Sequence, residues 1–382
     1  MTPIAYLDCA ASMPVRQEAV AEMTRVLTEL PGNPSGAHFA ARAARRVLDD
    51  ARDVLSEVLG AGPGDIVFTG GGTEADNLAV LGAQAARGGT VVVSAVEHPA
   101  VRDPAAGLDG LVAPVGCSGR IDLDALAALL EAADDVALVS VMLVNNEVGT
   151  IQPIAEVADV VRRLAPDAVL HTDAVQALSW VDVAEAAAGA DLISVSAHKF
   201  GGPKGVGALV VRPGVKVAAR QIGGGQERDR RSGTQNVAGV AAMATAARLT
   251  ADRRPEDTER IAGLRDRLAD GLLAAVPDAV ETGITDGDRS GRAAGLAHLC
   301  FPGVEAEALL FLLDQAGLAA SAASSCASGA AEPSPVLAAM GVPRDQATGS
   351  LRLSLGWAST AADVDRALEA VPAAVARLRA AR

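Results

Sequence analysis

Aromatic side chains are almost missing from this 382-residue chain, at 2%, with five Phe, two Trp and one Tyr. Alanine and leucine carry most of a 50% hydrophobic content, so the core must be built from them. With 21% charged residues this is globular composition, with ample material for a core. Cysteine is scarce. Cys9, Cys117, Cys300 and Cys326 lie far apart and form no CxxC pair. That spacing argues for free thiols in a reducing compartment, and no His/Cys cluster has zinc spacing. No apolar run is long enough to span a bilayer. The opening "MTPIAYLDCAASMPV" lacks the basic start and apolar run of a signal peptide, so a cytoplasmic protein is expected. Basic charge is in deficit: 33 Lys and Arg stand against 47 Asp and Glu, a net charge of -14. Such a chain repels phosphate backbones and anionic membranes, which argues against nucleic-acid or membrane-surface partners.

What is present is alternation. Residues 40–59 place Val47, Leu48, Ala51, Val54, Leu55, Val58 and Leu59 on one helical face, with Gly60 as the stop. "DIVFTGGGTEADNLAVLGA" reads strand, glycine turn, helix. "TVVVSAVEHPAV" reads as a strand ending near His98, and "DLDALAALLEAA" as a helix with Asp122 as its N-cap. "VALVSVMLVNNEVGT", "AVLHTDAVQAL", "ADLISVSAHKFGG" and "VGALVVRP" continue the strands. This order predicts an α/β fold with a mostly parallel central sheet. Ligands of such sheets sit beyond the carboxyl ends of the strands. The polar residues Thr73, His98, Asn146, Asp173, Gln176, His198 and Lys199 all fall there. From about residue 250 the texture changes to charged amphipathic helices and short strands, which predicts a second, smaller domain. "TGITDGDRSGRAAG" is expected to be a mobile surface hairpin or loop.

Three stretches carry the chemistry. The glycine turn of "FTGGGTEADN" opens a helix, so its free N–H groups and the helix dipole suit a single anion, with the Thr73 hydroxyl beside it. It is neither a P-loop nor GxGxxG. Asp173 ends a strand in "HTDAVQ". It suits a metal ligand, a base, a partner for a cationic ring nitrogen, or simply a helix cap. Lys199, 26 residues later, sits between a histidine and a glycine-rich turn. It is either a surface lysine or one that forms a Schiff base, with burial lowering its pKa. Together the three are what pyridoxal phosphate requires. His98 suits stacking on a ring or shuttling a proton, whereas His38 and His171 read as structural. Cys326, in "SAASSCASGAAEPS", sits among small residues, as a reactive thiol would. Arg231 and Arg352 suit a substrate carboxylate or a salt bridge.

Ten stretches, in order over nearly the whole chain, resemble the NifS/IscS cysteine desulfurases of the class V aminotransferase group. They are "YLDCAASMPV", "NPSGAH", "FTGGGTEADNLAV", "EHPAV", "VNNEVGTIQPI", "HTDAVQ", "SAHKFGGPKGVGAL", "GGGQERDRRSGTQN", "SCAS…EPS" and "RLSLG". The resemblance implies a fold-type I pyridoxal-phosphate enzyme. Its large cofactor-binding domain would cover 13–248, and its small domain 1–12 and 249–382, bearing a mobile cysteine loop. Lys199 would hold the cofactor aldehyde. Gly72, Thr73, Ser196 and His198 would lie on the phosphate side. Thr234 would reach the phosphate of a neighbouring subunit, which implies a homodimer. Asp173 would face the ring nitrogen, Gln176 the ring hydroxyl, His98 the ring face and Asn146 the cofactor or substrate. Asn33 and Arg352 would bind the carboxylate of L-cysteine. Cys326, six residues before Glu332, would take the sulfur as a persulfide for an acceptor, an iron–sulfur scaffold or a sulfur carrier. "ASSCAS" replaces the family's usual "GSAC[ST]S" there, losing a glycine and a hydroxyl. The rival expectations are a selenocysteine lyase or other class V aminotransferase, a non-catalytic sulfur-transfer scaffold, and a thiol redox sensor independent of Lys199.

Overall fold

The structure, a computed structural model, describes residues 4–322 and 334–381. Cys326 and Glu332 lie outside the described residues. The chain begins with β1 (Ala5–Tyr6), α1 (Gln17–Glu29) and α2 (Phe39–Val58). Strands and helices then alternate through β2 (Ile66–Thr69), α3 (Gly72–Arg87), β3 (Thr90–Ser94), α4 (Pro99–Ala106), β4 (Leu111–Ala113), α5 (Leu123–Ala132) and β5 (Val136–Ser140). They continue with α6 (Ile154–Leu164), β6 (Val169–Asp173), α7 (Val183–Ala186), β7 (Leu192–Ser196) and β8 (Gly207–Val211). The long α8 (Val237–Ala275) leads to β9 (Val280–Glu281), β10 (Leu296–Cys300), α9 (Ala306–Gln315) and β11 (Leu318–Ala319). The chain closes with α10 (Pro335–Ala339), α11 (Arg344–Ala347), β12 (Ser350–Ser354) and α12 (Ala361–Ala380).

Seven strands form the central sheet in the order β2-β8-β7-β6-β5-β3-β4. All pairings are parallel except those of β8, which runs against both β2 and β7. The mostly parallel sheet expected from the alternation is therefore present. Strands β5 and β7 are buried at every residue, as helices on both faces require. Because β8 alone is reversed, β2, β3, β5, β6 and β7 all end on one edge.

Local signals account for the elements. In α2, Leu48, Ala51, Leu55 and Val58 are buried, and Gly60, at φ +60°, stops the helix in a conformation that costs other residues strain. His38 caps its start, its Nδ1 accepting from the Ala41 N–H at 3.3 Å. Asp122 caps α5 through the N–H groups of Asp124 and Ala125, at 3.1 and 3.0 Å. Strand β5 ends at Ser140. Val141 and Leu143 still donate to the carbonyls of His171 and Asp173, at 3.1 and 2.9 Å. That partial ladder carries residues 141–146 over the sheet edge.

The C-terminal part holds two smaller sheets. One is antiparallel, β12-β10-β9, and in the other β1 pairs with β11. Helix α8 is continuous across residue 248, nearly all buried at its start and amphipathic later, with Ile261, Leu268 and Leu272 inward. One apolar cluster unites Leu55, Leu170, Leu268, Leu353 and Val371. The stretch from Thr282 is the surface loop expected, exposed from Thr285 to Asp288, but two of its arginines turn inward. Arg292, 9% exposed, donates to the Val148 carbonyl at 2.8 Å and the Thr150 hydroxyl at 2.6 Å. Its other nitrogen meets the carbonyls of Ser118 and Gly283, at 3.1 and 2.5 Å. Arg289 forks onto Glu281 and reaches Asp270. Arginines that a sequence reads as surface charge pin the loop from inside.

Candidate active site

A cavity of about 200 Å³ lies at the carboxyl edge of the sheet. It is lined by Gly72, Thr73, Asp76, His98, Met142, Asn146, Asp173, Val175, Gln176, Ser196, His198 and Lys199. Nine of the residues expected from sequence meet there, delivered by the ends of β2, β3, β5, β6 and β7. A wider mouth adjoins it, lined by Ser12, Gly70, Gly71, Gly72, Thr73, Ser196, His198 and Lys204 among others.

At one end of the cavity α3 begins at Gly72 after Gly71, whose φ of +147° favours glycine. No side chain caps this helix start, so its first N–H groups are available to an anion. A Cβ on Gly72 would come within 2.7 Å of Val175 Cγ2, so the turn packs against the residue that follows Asp173. Ser196 and His198 flank this end. The His198 Nδ1 is buried without a hydrogen-bond partner, and burial pushes the ring down to about 4, so it is neutral at neutral pH.

Asp173 lies at the floor, 3% exposed, with the Val175 N–H donating to its Oδ1 at 2.8 Å. Burial raises its pKa, while His98, this N–H and Lys199 pull it back. A buried carboxylate so placed calls for a cation, and a protonated ring nitrogen is one. The His98 Nδ1 accepts from the Ala100 N–H at 3.1 Å, which leaves the ring proton on Nε2. Burial lowers its pKa too, against the pull of Asp173.

Lys199 is half-buried, and its Nζ donates to the Ala10 carbonyl at 2.5 Å. The same carbonyl accepts from Gln176 Nε2 at 2.6 Å. Residues 8–10 thus form a wall of the site, and β12 holds that wall in turn. The Ala10 N–H donates to Ser354 Oγ at 2.9 Å, and Arg352 Nη2 meets Asp8 Oδ1 at 2.9 Å. Arg352 Nη1 also donates to the Asn146 carbonyl at 3.0 Å, and its Nε is buried without a partner. Arg352 is therefore joined to the site through Asn146 rather than lining it.

Other expected residues lie elsewhere. Asn33 is exposed and accepts from Ser35 N–H within its own turn, at 3.0 Å. Thr234 is exposed and away from the cavity lining. Arg231 pairs with Glu74 at 2.7 Å, the plain salt bridge. His171 is wholly buried between the hydroxyls of Ser140 and Ser194, at 2.8 and 3.0 Å, and burial pushes it down to about 3. Burial drives the Cys9 thiol up to about 12 and so keeps it unreactive. Sequence reasoning missed the Ala10 carbonyl, which has no side-chain signature, and Asp76, which sits inside a helix rather than at a strand end. It also passed over Glu97 and Glu147, buried acids pushed up to about 8 and about 7 by desolvation.

An uncapped helix start for an anion, a buried carboxyl for a ring cation and an amine between them fit a phosphorylated pyridine aldehyde. Comparison with known proteins agrees. The description "Aminotransferase class-V" matches residues 5–367. The chain is 46% identical to an IscS-like cysteine desulfurase of Mycobacterium tuberculosis (strain ATCC 25618 / H37Rv), over 99% of this chain and 98% of that protein. Among solved structures it resembles a NifS-like protein at 32% identity and a TM-score of 0.89, covering 98% and 100% of the two chains. It also resembles SspA in complex with cysteine, at 27% identity and a TM-score of 0.78, covering 92% and 98%. The chain belongs to the class V aminotransferase family and, within it, to the cysteine desulfurases of the NifS and IscS type.

Proposed function

We propose that this protein uses pyridoxal phosphate to move the sulfur of L-cysteine onto Cys326, releasing L-alanine. The observation that carries the proposal is the single cavity in which Lys199, Asp173, His98 and the uncapped start of α3 meet. When bound, the cofactor supplies an electron sink for charge at the substrate Cα. The N–H groups of α3, with Thr73, Ser196 and His198, would hold its phosphate, and Thr234 of a second copy would complete that grip. Asp173 would hold the ring nitrogen protonated, Gln176 would face the ring hydroxyl and His98 the ring face. Lys199 would hold the aldehyde carbon, then take the Cα proton once the substrate amine displaces it. Arg352, with Asn33, would orient the substrate carboxylate.

The Cys326 thiolate would attack the substrate sulfur. A sulfur–sulfur bond forms, the Cβ–S bond breaks, and Cβ gains a proton to give alanine. Cys326 lies outside the described residues, but the flanks of its segment support this role. Ser321 exchanges backbone hydrogen bonds with Arg352, and Ser334 Oγ donates to Glu147, the neighbour of Asn146. The persulfide would pass to an acceptor protein, an iron–sulfur scaffold or a sulfur carrier. A homodimer, which would bring Thr234 of a second copy to the phosphate, is part of the proposal. Among the described residues no helix is long and apolar enough to cross a membrane, and a cytoplasmic site of action is part of the proposal.

Borohydride reduction of the cofactor-loaded protein, followed by peptide mass spectrometry, is expected to place the label on Lys199. Cys326→Ala is expected to keep the visible absorption band and lose alanine formation by more than about 100-fold. A label on another lysine, or full turnover by the Cys326 variant, overturns the proposal. Sedimentation of the loaded protein as a monomer would remove the role of Thr234.

A further inference from the structure

Asp76 projects from α3 into the cavity floor, 2% exposed, and its Oδ1 has no hydrogen-bond partner. The Ser194 hydroxyl favours the ionised form of its carboxyl, and Ser194 Oγ is itself 3.0 Å from His171 Nε2. That imidazole nitrogen lies 3.7 Å from Asp76 Oδ1, and the ring is neutral at neutral pH. The charged and titratable groups around Asp76 are therefore Asp173 and His171 from β6 and Glu97 from the loop after β3, with His98 and Lys199 across the cavity. Two carboxyls share one dry floor, and like charges there cannot both ionise. Asp173 has the Val175 N–H, His98 and Lys199 to support its anion, whereas Asp76 has only the Ser194 hydroxyl.

We infer that Asp76 is a positioning residue that stays a neutral carboxylic acid, leaving Asp173 as the one anion able to face the cofactor ring nitrogen. The inference rests on the proposed function for the meaning of Asp173. It assigns the proton on the floor to α3 and the negative charge to β6. An ionised Asp76 would offer the ring a second, misplaced anion and would raise Asp173 further.

The test uses the full chain with and without pyridoxal phosphate. In the cofactor-free protein, the Tm of Asp76→Asn minus that of wild type is expected to widen by roughly 1–2 °C per pH unit from pH 4.5 to 8. The sign follows from linkage: an acid held protonated in the fold and ionised in the unfolded chain withdraws stability as pH rises. Beside the protonated-acid infrared carbonyl bands of Glu97 and Glu147, one component is expected to be lost in Asp76→Asn and kept in Asp173→Asn. A flat Tm difference, or a component lost in Asp173→Asn instead of Asp76→Asn, overturns the inference. If Asp76→Asn does not fold, Ser194→Ala removes the hydroxyl partner and is expected to move that component to higher frequency; an unmoved component is equally fatal. Wild-type cofactor binding, read from the visible band, tests the proposed function separately.

Discussion

Arg352 shows how one residue joins two regions. Its neighbours Leu351 and Leu353 face the core, so strand alternation sends Arg352 to the opposite face of β12. There it meets Asp8 and the Asn146 carbonyl, both at the site. A guanidinium can fork between these groups, whereas an ammonium cannot. Arg352→Lys is therefore expected to raise the KM for L-cysteine by about 10-fold or more, with the cofactor band retained. Steady-state kinetics on the loaded variant check this. An unchanged KM would place the carboxylate contact elsewhere.

Among elements, the segment from Thr282 to Gly295 is a surface loop held by arginines that turn inward. Arg292 threads four oxygens of three loops, and burial lowers its pKa to about 10 without discharging it at neutral pH. Removing it leaves those acceptors unpaired, so Arg292→Ala is expected to cost about 3 kcal/mol. Denaturant unfolding measures that loss, and a cost under about 1 kcal/mol would show the loop is not pinned. A second clasp lies at Glu227. Its carboxylate accepts from both terminal nitrogens of Arg52 at 3.0 Å, from the Phe68 N–H at 3.0 Å and from Gln235 at 3.2 Å. Glu227, Arg228 and Asp229 hold left-handed backbone at φ 49°, 57° and 62°, a strained run that this anchor sustains. The segment leading to Thr234 is set by that clasp, and Glu227→Ala is expected to cost about 3–5 kcal/mol by leaving Arg52 buried and unpaired.

For the whole molecule, buried acids and buried histidines pull stability in opposite directions with pH. Burial lowers His171 and His298 from 6.5 to about 3, so each withdraws stability as pH falls below about 6.5. Burial raises Glu97 and Glu147 from 4.5 to about 8 and about 7, so each withdraws stability as pH rises from about 4.5 to its folded value. Between 4.5 and 6.5 these trends oppose one another. Above 6.5 only the acids still titrate, and the cofactor-free protein is expected to lose Tm from pH 6.5 to 8. Glu97→Gln is expected to flatten that decline in a thermal scan across the range, and an equal slope in both proteins would contradict it.

Strand ends were legible because a parallel sheet needs apolar runs, and the first polar residue after each run marks the edge where a ligand sits. Asp173, His198 and Lys199 follow from that rule, whereas Ser196 came only from the family resemblance. Asp76 does not, because a helix hides which of its acids turns inward. The Ala10 carbonyl is illegible in principle, since every residue carries the same backbone atoms. Asn33 and Thr234 stay outside the cavity of a single chain, and in the proposed dimer a neighbouring copy would supply Thr234. Composition and the order of polar residues after apolar runs thus specify the sheet and its loaded edge. Which buried carboxyl keeps its proton, and which backbone atom Lys199 meets, depend on packing between segments far apart in the chain, because charge in a dry interior is governed by distance.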